Sequence, residues 1–208
     1  MSSHTNLLEL VYGVLFDPVA TFRRLAESPP LGTTFILITI LNAAAVLMGL
    51  FTLRLAPHEV FGAVGAGLSV GIALGSFFLW YVKWLCYGAV LHLVAQLFGG
   101  TGHARATLVA YGLASLPGLF MFPVQSLSLL FTGKSAGFIP GLASVGLFIW
   151  SVVLLVVGMR EMHRMETARA LAVVFLPAVV LIVLLAGLIG LAVLGLITAA
   201  PSLPLPPL

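Results

Sequence analysis

Apolar residues form long continuous runs along the chain, and polar residues are confined to short stretches between them. The runs do not alternate as the strands of a membrane β-barrel would, and several reach the roughly 20 residues that a bilayer-spanning helix needs. The pattern predicts an all-α, polytopic membrane protein with five transmembrane helices, at about residues 31–53, 70–98, 105–131, 138–159 and 170–198.

The segment before the first run, residues 1–30, predicts short amphipathic helices at the membrane surface rather than a span. Asp17 can cap a helix that begins at Pro18, and Pro29 and Pro30 end it. Apolar side chains then share one face, opposite the polar one, and the arginines are expected to face lipid phosphates. The predicted membrane-surface contacts are Asp17, Pro18, Phe22, Arg23 and Arg24.

The second run contains a lysine, Lys83, and is too long for one ordinary span. Residues 62–98 as a single helix would measure about 55 Å against a hydrocarbon core of about 30 Å. In the favoured arrangement the span covers residues 70–98 and Lys83 lies near mid-membrane, which costs about 2.5–3.5 kcal/mol. In the alternative, the span covers residues 62–79 and the lysine snorkels within an aromatic belt of Trp80, Tyr81, Trp84 and Tyr87.

Small residues and prolines mark two further features of the spans. Ala63, Gly67, Gly71 and Gly75 repeat every four residues, a stripe for which packing within the domain is favoured over homodimerisation. In the third run, Pro117-Gly118 and Pro123 predict a kink or break. A break of this kind can line a transport site, although a kink that fits neighbouring helices is favoured.

Charge and composition refine the topology. The chain is 61% hydrophobic and 7% charged, with a mean hydropathy of +1.21, whereas soluble domains carry about 25% charged residues. The basic residues lie in short loops, where they orient the spans; nucleic-acid binding is not expected. An N-terminus in the cytoplasm places six arginines on the inner side and Arg54 and Lys134 outside, as the positive-inside rule favours. The inner six are Arg23, Arg24, Arg105, Arg160, Arg164 and Arg169.

The chain therefore divides into three parts. Residues 1–30 form the interfacial segment, residues 31–200 the membrane domain, and residues 201–208 a proline-rich tail expected outside the membrane as polyproline II.

Motifs for enzymatic chemistry are missing from the sequence. It has no P-loop, GxSxG, HExxH, CxxC or dinucleotide fingerprint, so neither an enzyme nor a cofactor is expected. Glu161, His163 and Glu166 do not match a di-iron spacing, and a solvated, salt-bridged loop is favoured over a metal site. His92 and Gln96 share one helical face, where an interhelical hydrogen bond is favoured over proton transfer.

Three polar residues within the spans, Asn42, Lys83 and Gln125, form a possible intramembrane ligand site. Trp80, Trp84 and Tyr87 share a helical face with Lys83, and cation–π contact can offset about 0.5–2 kcal/mol of its burial cost. A structural lysine is therefore favoured over a ligand-binding one.

Three segments of the chain together resemble a known family. They are LFDPVATFRRL, LHLVAQLFGGTGHARATLVAYGLASLP and IWSVVLLVVGMREMHRMETARALAVVFLP. Their order and spacing are similar to those of the Yip-domain family, membrane proteins that interact with Ypt/Rab GTPases. In the second segment the matching residues are His92, Gly99, Gly100, Gly102, Tyr111 and Pro117. In the third segment they are Trp150, Gly158, Arg160, His163, Ala168 and Ala170.

The resemblance implies five spans, a cytoplasmic N-terminus and a short external tail. In eukaryotes the family is associated with small GTPases, vesicle budding and membrane shaping, whereas its role in prokaryotes is largely unassigned. The long cytosolic N-terminal region of eukaryotic members has no counterpart in this sequence, so direct GTPase binding is not expected. The compact build suggests a prokaryotic member in the inner membrane. Lys83 lies outside the resemblance.

Two functions remain open. The favoured one is a non-enzymatic membrane protein that organises lipids or partner proteins, with membrane lipids and other membrane proteins, or further copies of itself, as partners. The alternative is a small transporter, channel or lipid scramblase, in which Asn42, Lys83 and Gln125 would line a cavity reachable by water or headgroups.

Overall fold

The architecture is entirely helical across the part of the chain described by the computed structural model, residues 6–55, 63–128 and 135–199. One 3-10 helix, Leu116–Phe120, separates α5 from α6. The α-helices are α1 (Leu7–Phe16), α2 (Pro18–Glu27), α3 (Leu31–Leu55), α4 (Ala63–Leu97), α5 (Ala104–Leu113), α6 (Met121–Ser128), α7 (Ser135–His163) and α8 (Thr167–Ala199).

Five segments are long and apolar enough to cross a bilayer, which confirms the predicted fold class. They are Leu31–Phe51, Val70–Leu97, Ala104–Ser128, Gly137–His163 and Thr167–Thr198. The proline-rich tail, residues 201–208, and Lys134 lie outside the described residues.

The N-terminal segment folds into the two short helices predicted from its sequence. Asp17 lies between them, and its Oδ1 accepts a hydrogen bond from the backbone N–H of Ala20 at 3.4 Å. Pro18 is the first residue of α2, where it removes no helical hydrogen bond. The helix ends at Glu27, before the two prolines that precede α3. We refer to α1 and α2 together as the N-terminal hairpin.

The second apolar run forms one unbroken helix, α4, of 35 residues. The part of α4 that is long and apolar enough to cross a bilayer is Val70–Leu97, which matches the span of the favoured arrangement, and Lys83 lies near its middle. The alternative, with a span over residues 62–79 and the lysine in an aromatic belt, stays a prediction, because α4 runs unbroken from Ala63 to Leu97.

Three aromatic side chains of α4 tie it to three other helices. The Tyr81 hydroxyl donates to Thr39 Oγ1 of α3 at 2.9 Å. The Trp84 indole N–H donates to the Leu108 carbonyl of α5 at 3.1 Å. The Tyr87 hydroxyl donates to the Val174 carbonyl of α8 at 3.5 Å. Tyrosine and tryptophan thus supply both apolar surface and a polar end that finds a partner.

The third span breaks where its prolines predict. Helix α5 ends at Leu113, the 3-10 helix begins at Leu116, and Pro117 is its second residue. Pro123 is tolerated because it lies in the first turn of α6, where backbone N–H groups have no intrahelical partner. The two α-helices and the 3-10 helix together make one span, Ala104–Ser128.

The hydrophobic core lies towards one end of the bundle, where the N-terminal hairpin joins α4, α5, α7 and α8. Side chains without solvent exposure from the hairpin and these helices include Leu10, Val14, Phe22, Leu91, Val109, Leu113, Met159 and Val173. The other end is open, since the apolar side chains of α8 from Val179 to Ile197 are exposed. The hairpin is therefore part of the core rather than an appendage.

Glycines allow the close packing of this core at two points. A Cβ built at Gly158 would lie 3.1 Å from Ala110 Cβ and 3.3 Å from the Phe22 ring. At Gly112 it would lie 2.7 Å from Thr34 Cγ2 of α3. Side chains larger than hydrogen would force α2, α3, α5 and α7 apart.

The glycine stripe of α4 does not share this role. A Cβ at Gly67, Gly71 or Gly75 would meet nothing within 4 Å among the described residues. Among the described residues, the favoured expectation of packing within the domain therefore finds no partner helix for these three glycines. Ala63, the first member of the stripe, has a side chain outside the described part.

Candidate functional site

A cavity of about 640 Å³ lies among α4, α5, α7 and α8. Its floor is formed by buried apolar residues, including Ala114, Leu155 and Val174, whereas Phe148 and Phe175 are exposed at its rim. Lys83 also lines it. The cavity is within the range of about 300–1,000 Å³ that is usual for small-molecule sites.

The three polar residues predicted to form one ligand site line different cavities. Asn42 and Gln125 line a second cavity of about 210 Å³, which does not include Lys83. Ser115, Gly118 and Met121, at and beside the break in the third span, line both cavities. The break thus forms a wall between them, and Lys83 does not share a cavity with Asn42 and Gln125.

Asn42 has a structural contact. Its Nδ2 donates a hydrogen bond to the Phe77 carbonyl of α4 at 3.0 Å. The bond lies on the same α3–α4 contact as the Tyr81–Thr39 bond. Asn42 therefore joins two spans, as polar residues in membrane helices commonly do.

Lys83 has one aromatic partner. Its Nζ lies 5.9 Å from the centroid of the Trp80 ring, within cation–π range. Trp84 and Tyr87, predicted to take part as well, instead donate hydrogen bonds to α5 and α8. Among the described residues, no carboxylate lies within 4.0 Å of the lysine, and the three ion pairs involve other cations. The lysine is exposed and faces both the rim of the cavity and the surroundings of the bundle.

A chain of polar side chains connects α4, α5 and α7 at the end of the bundle near the core. Gln96 Nε2 lies 3.0 Å from His92 Nε2, and His92 Nδ1 lies 3.3 Å from Thr107 Oγ1. Thr107 Oγ1 lies 2.8 Å from His163 Nε2. The expected role of His92 as an interhelical hydrogen-bond partner is confirmed.

His163 was expected in a solvated loop, and this expectation is wrong. Helix α7 continues to His163, whose side chain has no solvent exposure. Its backbone carbonyl accepts hydrogen bonds from the N–H of Thr101 at 3.1 Å and from the Thr101 hydroxyl at 3.3 Å. The loop between α4 and α5 covers the imidazole, and no described atom hydrogen-bonds to its Nδ1.

Glycines bring that loop onto His163. Gly99 has a φ of +81°, a left-handed conformation that favours glycine. A Cβ at either Gly100 or Gly102 would lie 2.9 Å from His163 Nδ1, and at Gly102 it would also lie 2.5 Å from the Met162 carbonyl oxygen. The motif residues His92, Gly99, Gly100, Gly102 and His163 therefore meet in one place.

The other two residues of the second motif lie at the large cavity and at the break. Tyr111 lines the cavity and packs against Tyr87, with ring centroids 5.2 Å apart. Pro117 is buried in the 3-10 helix. Thr107, which joins the two histidines, was not predicted as a site residue, because a single threonine on an apolar helix carries no distinguishing signal.

An ion pair attaches the N-terminal hairpin to α7, and another joins the two helices of the hairpin. Glu161 Oε2 accepts from Arg23 Nε at 3.0 Å, and Glu161 Oε1 lies 2.7 Å from Arg160 Nη2. Arg24 Nη1 pairs with Glu9 Oε1 at 3.3 Å. Both arginines of the predicted membrane-surface set are therefore engaged within the protein.

The predicted membrane-surface set needs correction at Phe22. Its ring is fully buried against Gly158 and cannot contact the membrane. The large exposed apolar residues of the hairpin belong to α1 instead: Leu8 is 77% exposed, Tyr12 66% and Phe16 62%. They recur every four residues, a signal that was present in the sequence.

A comparison with protein-family models matches the Yip1 domain over residues 12–189. Comparisons with curated proteins and with solved structures find no significant match. The matched range begins in α1, includes the His92–Thr107–His163 chain and the cavity beside Lys83, and ends within α8. Since it covers well over half of the chain, this multi-pass membrane protein belongs to the Yip1 domain family.

Proposed function

We propose that the protein is a non-enzymatic organiser of the membrane that acts through its N-terminal hairpin. In this function α1 lies in the lipid interface with Leu8, Tyr12 and Phe16 among the acyl chains. The exposed apolar stripe of α1 carries the proposal, because apolar side chains on an interfacial helix bury into the boundary between headgroups and acyl chains.

Helix α1 is apolar on two opposite sides, which supports this placement. Leu10 and Val14 have no exposure and belong to the core. Leu8, Tyr12 and Phe16 lie on the other side of the helix, and the rings of Tyr12 and Phe16 are 4.8 Å apart. A helix that faced water on its outer side would be expected to carry polar residues there.

The hairpin is coupled to the spans. Phe22 packs against Gly158, and Glu161 of α7 pairs with Arg23. Because the N-terminal hairpin is fixed to α7, it adds apolar volume to one leaflet at a constant depth relative to the spans. Adding volume to one leaflet only bends a membrane. Membrane lipids are the proposed partners, and further membrane proteins or copies of the chain would gather where the leaflet is bent.

The charge distribution supports a cytoplasmic position for the hairpin. In the five-span order, the hairpin and the α4–α5 and α7–α8 connections lie on one side of the membrane. These segments carry six arginines, as the positive-inside rule favours for the cytoplasmic side. We propose the same orientation, with the C-terminus outside, and an inner membrane of a prokaryote as the location.

The test uses the full-length protein in liposomes that contain anionic lipid. Tyr12→Glu places a charge in the exposed stripe, and we expect it to reduce vesicle tubulation or fragmentation, scored by electron microscopy, at least threefold. Ala20→Glu is the matched control, since it adds the same charge to the exposed face of α2 at a position where Glu favours capping. Equal remodelling by wild type and Tyr12→Glu, at equal reconstitution, would contradict the proposal.

A transporter or lipid scramblase is the second candidate, favoured by the cavity of about 640 Å³ among four spans. Scrambling of a fluorescent phospholipid in proteoliposomes, read by dithionite bleaching, tests it. A scrambling rate no higher than in empty liposomes would exclude a scramblase. Ion or solute flux at the level of empty liposomes would exclude transport of the solutes tested.

A further inference from the structure

We infer that the cavity beside Lys83 binds a single-chain carboxylic acid, a long-chain fatty acid, with its carboxylate on the lysine ammonium and its chain along the apolar wall. This inference goes beyond the membrane-organising function and does not depend on it. It rests on the lining of the cavity, its unpaired donors, the positions of the acidic residues and the depth of Lys83.

The lining suits a hydrocarbon chain. Ala114, Leu155 and Val174 form a buried apolar floor, and Phe148 and Phe175 lie exposed at the rim. Exposed rim residues on membrane-spanning helices mean that a chain can enter sideways from the bilayer. An acyl chain can therefore pack against the apolar lining of the cavity without passing through an opening to water.

Among the described residues, three that line the cavity carry hydrogen-bond donors without an acceptor. Within the described part of the chain, no hydrogen bond is formed by Lys83 Nζ, the Tyr111 hydroxyl or the Ser151 hydroxyl, and all three residues line the cavity. The remaining hydroxyls of the lining are engaged, because Tyr87, Ser115 and Ser144 donate to backbone carbonyls. Unpaired donors beside a cation complement an anion that only accepts hydrogen bonds, as a carboxylate does.

Among the described residues that line the cavity, none is acidic. The acidic residues of the chain are Glu9, Asp17, Glu27, Glu59, Glu161 and Glu166, and none lies in the middle of a span. An intramembrane lysine usually pairs with an acidic or backbone partner. A ligand carboxylate would provide the missing charge, while Trp80 continues to contact the ammonium.

The depth of the lysine selects a small acidic headgroup. Lys83 lies near the middle of Val70–Leu97, about 20 Å along the helix from either end. A phospholipid would have to bring its phosphate and glycerol to this depth, whereas a fatty acid brings only one carboxyl group. Fewer polar groups then leave water, so the single-chain acid is the better match.

The experiment uses full-length protein in phosphatidylcholine nanodiscs and follows quenching of tryptophan fluorescence by dibromostearic acid. Trp80 reports on the site because its ring lies 5.9 Å from Lys83 Nζ. We expect saturable quenching by the acid and only non-saturable partitioning by its methyl ester. Equal saturable quenching by acid and ester would overturn the inference.

Variants test whether Lys83 is responsible for the saturable binding of the fatty acid. Lys83→Met removes the charge at similar length and is expected to weaken the saturable phase at least tenfold, whereas Lys83→Arg keeps it within about threefold. Ser151→Ala should weaken binding more than Ser144→Ala, whose hydroxyl already donates to the Gly141 carbonyl. Each variant is checked for a monodisperse elution profile and an unchanged melting temperature. An unaltered affinity in a folded Lys83→Met variant would also overturn the inference.

A second probe separates fatty acid from phospholipid. Dibrominated phosphatidic acid is titrated in the same way, and the inference predicts no saturable phase that depends on Lys83. If phosphatidic acid instead outcompeted the fatty acid, the site would be one for phospholipid and the inference would be wrong. Tyr12→Glu should leave fatty-acid binding unchanged, so failure of this inference and failure of the proposed function are distinguishable.

Discussion

Thr107 and His163 share a hydrogen bond of 2.8 Å between Oγ1 and Nε2, and both side chains are fully buried. The same hydroxyl lies 3.3 Å from His92 Nδ1, so one oxygen joins three helices. A hydroxyl can donate to one imidazole and accept from the other, which allows both rings to remain neutral. The bond fixes the end of α7 beneath the loop between α4 and α5.

Loss of this hydroxyl should destabilise the protein. Thr107→Val keeps the shape of the side chain but leaves His163 Nε2 buried without a partner, which costs about 1–3 kcal/mol. We expect a lower melting temperature in detergent, measured by intrinsic fluorescence. Thr107→Ser retains the hydroxyl and should lie closer to wild type. A Thr107→Val variant as stable as wild type would show that the bridge is not structural.

Gly102 should not tolerate a side chain. Its Cβ in Gly102→Ala would lie 2.5 Å from a backbone oxygen of Met162, so the loop must move away from His163. Overpacking of this kind costs about 1–3 kcal/mol. Gly187→Ala is the matched control, because nothing lies within 4 Å of that position in α8 among the described residues. Thermal unfolding of both variants should show a loss at Gly102 only.

Two phenylalanines of the hairpin should have opposite roles. Phe22→Ala removes a fully buried ring from the core and is expected to cost about 3–5 kcal/mol. Phe16 is 62% exposed, so Phe16→Ala should change stability in detergent by less than about 1 kcal/mol. In liposomes the larger effect should come from Phe16→Ala, which is expected to lower membrane remodelling at equal amounts of folded protein. A large loss of stability in Phe16→Ala would place that ring in the core instead.

The ion pair between the hairpin and α7 should depend on salt. Glu161 is 11% exposed on its side chain but Arg23 is 72% exposed, so solvent screens the pair and Glu161→Gln should cost only about 1 kcal/mol. The expected result is faster limited proteolysis of the hairpin, with the difference from wild type shrinking as ionic strength rises. Glu166→Gln, which changes an exposed carboxylate at the start of α8, is the control. Identical proteolysis of Glu161→Gln and wild type at low salt would argue against this attachment.

Local signals account for the features that were predicted correctly. The five spans follow from the length of the apolar runs, and the ends of two helices follow from Asp17-Pro18 and Pro117-Gly118. Each of these depends on a few neighbouring residues and on the thickness of a bilayer.

Tertiary contacts account for the rest. His163 and Arg23 both lie in polar stretches that predict exposure, yet one is covered by a distant loop and the other pairs with Glu161. The stripe of Gly67, Gly71 and Gly75 predicts close packing but does not specify a partner. The proximity of His92 and His163 depends on how far α4, α5 and α7 are shifted relative to one another along their axes. No local sequence pattern indicates this shift. The outward apolar stripe of α1 could have been predicted from its four-residue spacing, but it was not.

Three aromatic side chains that tie α4 to its neighbours have a consequence for how the protein is made. Tyr81 bonds to α3, Trp84 to α5 and Tyr87 to α8, so their partners leave the ribosome at successive times. Chains are synthesised from the N-terminus, and earlier segments begin to fold first. The bonds therefore become possible in the order Tyr81, Trp84, Tyr87. During biogenesis the Tyr87 hydroxyl can form its hydrogen bond only once the last span is present. Formation of this bond therefore marks the completed insertion of the bundle.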